Sequence, residues 1–303
     1  TFQAGAKTKQ YSLAPGRNYR FTLDAGGNLD LSRQLLEADA ADTREFKVLV
    51  LADAGYRRRH AQWQTHVRQL MASVSEHFDG NFGIRFQVAD CRDWACDCTG
   101  QTGVESITEL WKIAPRDVDL VIGFTVLEVR PGQTTAELGI TSNFGQHLLI
   151  REYSTLAGRG EIILLHELCH VFGAFHVADR RSVMQPNVET VPRNFTVPPE
   201  TRQVVRLAKN VDLRRGVESL DADSAQLITA LYDTYHHPTA APVDPITVGY
   251  CYQASRAWGG GDRARAQAMA DRALAISAGT FDVRMLLGAT ALEHFDSEFA
   301  DQQ

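Results

Sequence analysis

No apolar run in this 303-residue chain approaches the roughly 20 residues that a bilayer-spanning helix needs. The longest, VDLVIGFTVLEV (118–129), is strand-sized and interrupted by charge, so no transmembrane segment is expected. Long basic stripes are lacking too. The 31 Lys and Arg and the 37 Asp and Glu are mixed along the chain and leave a net charge of -6, which makes nucleic acid an unexpected partner. The densest basic cluster, Arg57-Arg58-Arg59, reads as a solvated lead-in to a helix. Cysteine is sparse, with five in all, and neither a CxxC pair nor a neighbouring histidine accompanies the CRDWACDC cluster at 91–98. That argues against a cysteine-based metal site. A bridge from Cys91 to Cys96 or Cys98, or free thiols, is the expectation there. The odd count determines the redox compartment only weakly.

What is present is ordinary for a soluble globular protein: 44% hydrophobic and 22% charged residues, over a length that suits one large domain or two modest ones. Residues 1–43 are polar and turn-rich, and alternation around Pro-Gly and Gly-Gly predicts a β-rich extension with a hairpin. A domain over 44–240 follows. Its strand-like runs at 46–53, 83–91 and 118–126 alternate with helical patterns at 60–78 and 104–114. The short strands ELGITS (137–142) and QHLLIREY (146–153) flank Asn-Phe-Gly. This order predicts an α/β (α+β) fold with a twisted, mostly parallel sheet, an antiparallel edge strand and a buried helix at 161–172. Helices are predicted at 199–211 and 221–236, with Asp221 or Asp223 as N-cap. HHPTAAPVDP (236–245) reads as a linker. Residues 241–303 are similar to a tetratricopeptide helical hairpin, with Ala254, Ala257, Ala266, Ala270 and Ala273 at the close contact. That piece is expected to dock on the preceding domain as a structural cap, with a surface for a protein partner as the alternative.

The chemistry is concentrated in HELCHVFGAFH, residues 166–176. On a helix His166 and His170 lie on one face, a turn apart, so both imidazoles can reach one ion. Glu167 is rotated about 100° away, near enough to a metal-bound water without being a ligand. A helix running straight on would carry His176 about 9 Å past His170, too far to share an ion with nitrogen bonds of about 2.1 Å. The chain must therefore bend between them, and Gly173 is the residue that bends without steric penalty. A bare HExxH arises by chance in roughly two of a hundred such chains, and the added Gly and His make chance negligible. The pattern predicts one catalytic zinc ion held by His166, His170 and His176, with Glu167 as general base.

HELCHVFGAFH followed by SVMQP (182–186) resembles the metzincin clan of zinc metallopeptidases. The resemblance is specific over 166–184 and architectural elsewhere between 44 and 240. It implies an endopeptidase acting on a protein or peptide substrate. Met184 would form a methionine turn beneath the ligands. ELGITS, through Gly139 and Ile140, would bind an extended peptide along its edge, and Gln185, Pro186, Asn187 and Val188 would wall the main specificity pocket. Val177 after His176 matches no well-known subfamily. No tyrosine closely follows Met184, so a tyrosine ligand of the astacin or serralysin kind is not expected, and no cysteine-rich second zinc site follows His176, which argues against an archaemetzincin. Cys169 reads as a small buried residue. A secreted or cell-envelope address follows from what similar enzymes do and from a first residue that is not Met, with the cytoplasm as alternative. The competing readings are a zinc hydrolase of small peptides or peptidoglycan cross-links, and a non-catalytic binding protein using the C-terminal helices. Glu167 speaks against the last, since a structural zinc site favours a fourth protein ligand. In a thermolysin-like variant Glu189 or Asp179 would replace His176. Metal analysis of purified variants separates these ligand sets: His176→Ala loses bound zinc, whereas Glu189→Ala retains it, and the reverse result would reassign the third ligand.

Overall fold

The computed structural model describes residues 43–96, 98, 101–127, 138–153 and 158–277, together with four short strands nearer the N-terminus. Those strands, β1 (Phe2–Ala4) with β2 (Lys7–Lys9) and β3 (Thr22–Leu23) with β4 (Leu29–Asp30), form two antiparallel ladders. The turns expected at Gly-Gly and Pro-Gly lie outside the described residues.

The main sheet has five strands. These are β5 (Arg44–Ala52), β6 (Ile84–Asp93), β7 (Leu120–Leu127), β8 (Gly139–Thr141) and β9 (His147–Tyr153), in spatial order β6-β5-β7-β9-β8. Four run parallel, and β8 pairs antiparallel with β9 at the end of the order. The inner strands β5, β7 and β9 carry near-continuous apolar runs because both faces are covered, whereas the outer strand β6 alternates buried and exposed residues. Alternate residues divide between the faces. Val48, Val50, Ile122, Phe124 and Leu148 join one core, while Leu49, Leu51, Val121 and Leu149 join another.

The first core is covered by α2 (Trp63–Phe82) and α4 (Gly160–Val171). The second is covered by α3 (Gly103–Trp111), whose Thr102–Glu105 capping box satisfies its first turn. A short α1 (Ala54–Arg59), capped by Asp53, stands between β5 and α2. The three arginines therefore close α1 rather than lead directly into α2, and Arg57 pairs with Asp93.

The cysteine expectation is corrected. The bridge joins Cys96 to Cys98, and Cys91 is a free, buried thiol. The reason is the sheet itself. Cys91 on β6 packs into the α2 side, and Cys98 into the α3 side, so the sheet stands between them.

After α4 come α5 (Pro199–Leu207) and α6 (Ala222–Tyr235), the latter capped by Asp221. The helices α7 (Pro245–Gly259) and α8 (Arg263–Ile276) pack on each other through Ala254, Ala257, Ala266, Ala270 and Ala273. Ile246 of α7 joins the first core, so the start of this hairpin packs against the sheet domain. A further helical unit beyond it would lie outside the described residues. Residues 236–245 are not a free linker. His236 bridges Val177, and Asp244 caps α7. No helix among the described residues is long and apolar enough to cross a membrane.

His147 opens β9 at 0% exposure, its Nε2–H donating to the Ile113 carbonyl at 2.7 Å. Burial, with the Arg256 charge adding to it, lowers its pKa to about 4. A histidine free in the unfolded chain titrates near 6.5. Protonation in acid therefore favours unfolding. The stabilisation is complete above about pH 6.5, falls as the pH drops toward 4, and amounts to on the order of 3 kcal/mol in full. Thermal melts of His147→Asn against the parent across pH 7 to 4 should show a shallower acid loss for the variant; parallel curves would refute this.

Candidate metal centre

The helix α4 carries His166, Glu167 and His170 in its last two turns, and His166 and Glu167 are 4% and 8% exposed. The helix stops at Phe172, and Gly173 takes φ 80°. Its N–H still reaches the His170 carbonyl at 2.9 Å, while Ala174 N–H reaches the Cys169 carbonyl at 3.0 Å. The orphan carbonyls of the helix end are satisfied as the chain turns back. That turn delivers His176. A second constraint acts on Gly173, since a Cβ there would lie 2.2 Å from Cζ of Phe144.

Phe144 sits between β8 and β9, fully buried, in a left-handed conformation at φ 58°. Such a conformation costs a bulky residue about 1–3 kcal/mol. It is held by the Phe144 N–H to Val171 carbonyl bond of 2.7 Å. Its ring thus braces the bend from below, a contact with no signal in the sequence beyond the flanking Asn and Gly.

The three imidazoles converge. Their Nε2 atoms lie 3.0 Å (His166–His170), 3.1 Å (His170–His176) and 3.2 Å (His166–His176) apart. Each Nδ1 faces a backbone carbonyl: Val183 at 2.7 Å for His166, Ala174 at 2.7 Å for His170 and Ala240 at 2.8 Å for His176. A carbonyl only accepts, so each Nδ1 must carry the proton and donate it. The neutral rings then aim three bare Nε2 lone pairs at one another. Protonation does not relieve this readily. Burial, reinforced by His176, lowers the pKa of His166 to about 3; burial and the two neighbouring rings press that of His170 well down; burial lowers His176 despite its bond to Ala240. A cation satisfies all three. Nitrogens at about 2.1 Å in a tetrahedral zinc site stand about 3.4 Å apart, so the spacing fits zinc. Among the described residues this is the only cluster of histidine, cysteine or acidic groups with such geometry. Glu189 and Asp179 are exposed and outside it, which removes the thermolysin-like alternative.

The segment expected to be a linker holds the third histidine. Besides the Ala240 carbonyl, His237 N–H donates to the His176 carbonyl at 2.7 Å, and the Tyr232 hydroxyl donates to the Ala241 carbonyl at 2.7 Å. Metal-binding histidines depend on such partners for orientation. Met184 is fully buried; its carbonyl accepts from Val177 N–H at 3.1 Å, just after His176, and Val183 beside it receives His166. Cys169 faces the core, and burial with the nearby Glu167 raises its pKa, so it stays a thiol.

Gly139 and Ile140 are half-buried on β8. A Cβ on Gly139 would lie 2.3 Å from Cδ of Glu167, so the carboxyl group rests against the backbone of the edge strand. A side chain at this position would displace the carboxyl group from the strand. Pro186 is half-buried and Asn187 exposed, and the Asn187 side chain accepts from Glu189 N–H at 3.2 Å to start a 3-10 turn over Val188–Thr190.

Compared with known proteins, residues 42–202, just over half of the chain, match the family model Reprolysin_5, described as metallo-peptidase family M12. No curated protein matches the sequence. Among solved structures, a chaperone-substrate complex aligns with TM-score 0.42 and 12% identity, covering 66% of this chain and 39% of that one. This chain therefore spans about two fifths of that structure's length. An archaemetzincin from Methanopyrus kandleri aligns with TM-score 0.34 and 19% identity, over 64% of this chain and 97% of its own.

The Tyr232 anchor makes the remote support testable. Tyr232→Phe should weaken zinc binding by roughly tenfold in a chelator competition. An unchanged affinity would show that Ala240 needs no such anchor.

Proposed function

The chain belongs to metallo-peptidase family M12, and on that premise we propose that it is a zinc-dependent endopeptidase acting on proteins or peptides. In this reading His166, His170 and His176 hold one zinc ion and Glu167 is the general base. The observation that carries it is the ring of three Nε2 atoms 3.0–3.2 Å apart, each imidazole pinned by its other nitrogen to a carbonyl.

Bound there, zinc would act as a Lewis acid and lower the pKa of a coordinated water toward about 7. The protein's own part is alignment and proton handling. Glu167, largely buried against Gly139, takes a proton from the attacking water and holds it on a carboxyl oxygen. It then passes that proton to the amine nitrogen released when the peptide C–N bond breaks. The edge strand β8 offers backbone N–H and C=O groups to an extended peptide at Gly139 and Ile140, next to that carboxyl group. In the same reading Gly173 is the obligatory turn, Met184 the floor beneath the ligands, and Pro186 and Asn187 part of the wall of the specificity pocket.

Glu167→Gln tests the division of labour. It should retain zinc and lose about 10²–10⁴-fold in kcat/KM on a casein-derived peptide. His166→Ala should lose metal and activity together. A Glu167→Gln protein as active as the parent would defeat the proposal.

A further inference from the structure

Away from the three histidines, a cavity of about 300 Å³ opens where the turn after β8 meets α7. Its wall starts at Ser142, the residue following the edge strand, and includes Gln253 and Arg256 of α7. The charge around it is unbalanced. Arg214 is tied to Asp212 and the Arg116 carbonyl, and Arg265 is tied to Glu218. Arg256 is half-buried, and among the described residues its guanidinium has neither a hydrogen bond nor an ion pair, although its carbonyl accepts from Gly260 N–H within the helix end. Its uncompensated charge is felt next door, where it helps depress the pKa of His147.

Two other polar atoms at this wall, Ser142 Oγ and Gln253 Oε1, are buried without a hydrogen-bond partner among the described residues. The Gln253 amide is oriented by its Nε2–H, which donates to the Arg215 carbonyl at 2.8 Å. A guanidinium removed from water without a counter-charge is costly, and so is each unmade hydrogen bond. An acidic amino-acid residue supplies what is missing. Its carboxylate pairs with Arg256 and accepts from the Ser142 hydroxyl, and its own peptide N–H donates to Gln253 Oε1.

The cavity also stands at a definite distance from the chemistry. Gly139 touches Glu167, and Ser142 lies three residues along the chain, about 10 Å at about 3.3 Å per residue. A peptide extended along β8 therefore reaches the cavity about three residues from the bond above Glu167. Resting on the peptidase reading, we infer that this cavity is a subsite for an Asp or Glu side chain of the substrate, with Arg256 as its specificity-determining residue.

The test uses the full chain and paired peptides that differ only in Asp/Glu against Asn/Gln at each position within four residues of the cleaved bond. The parent should favour the acidic member about tenfold or more in kcat/KM at one such position. In Arg256→Gln that ratio should fall close to one, and Arg256→Lys, which keeps the charge, should retain part of it. The ratio is insensitive to a general loss of folded enzyme, which lowers both members of a pair alike. Absence of an acidic preference in the parent, or an unchanged ratio in Arg256→Gln, would overturn the inference. Should the parent cleave no peptide, the peptidase reading fails separately. Calorimetric titration of the same peptides then decides the subsite: tighter binding of the acidic member that Arg256→Gln abolishes sustains it, and equal binding ends it.

Discussion

Three Nδ1–H to carbonyl hydrogen bonds are the constraint on which the rest of the molecule depends. Each one fixes a tautomer and a ring plane, and together they leave three lone pairs facing across about the width of one ion. The carbonyls come from three different places: the chain before Met184, the turn after Gly173, and the stretch before α7. The loop through Val183, the bend at Gly173 and the segment after α6 must all be in place for the rings to meet. This explains why so much apolar surface surrounds a small polar centre. The first core runs continuously from α2 through the sheet to α4, α6 and the start of α7.

The edge strand has a second relation to this centre. Because Gly139 lacks a side chain, the Glu167 carboxyl group approaches the strand backbone directly. The Glu167 carboxyl group and the edge strand are thereby held together by contact between α4 and β8 rather than by a flexible loop. Phe144, at the other end of β8, ties that strand to the Gly173 bend. Strand, carboxyl group and bend form one mechanical unit.

Much of this was legible in the sequence because the signals were local. Continuous apolar runs marked the parallel strands, the spacing of Trp63, Val67, Met71, Val74 and Phe78 marked α2, and the distance from His170 to His176 demanded a turn at Gly173. What was missed depended on contacts between distant segments. Prolines at 238, 242 and 245 suggested a linker, yet a proline-rich stretch can equally be rigid, and this one presents the Ala240 carbonyl to His176. Sequence proximity suggested a Cys91 bridge, but only the sheet reveals that Cys91 and Cys98 lie on opposite faces. The left-handed Phe144 had no residue-type signal, since aromatic side chains rarely adopt that conformation.

The Ala240 contact also bears on biosynthesis. His176 is separated from its acceptor by 64 positions, so a growing polypeptide on the ribosome exposes the three-histidine motif well before it can orient the last imidazole. The centre matures only after α6 and the chain beyond it have been translated and folded back.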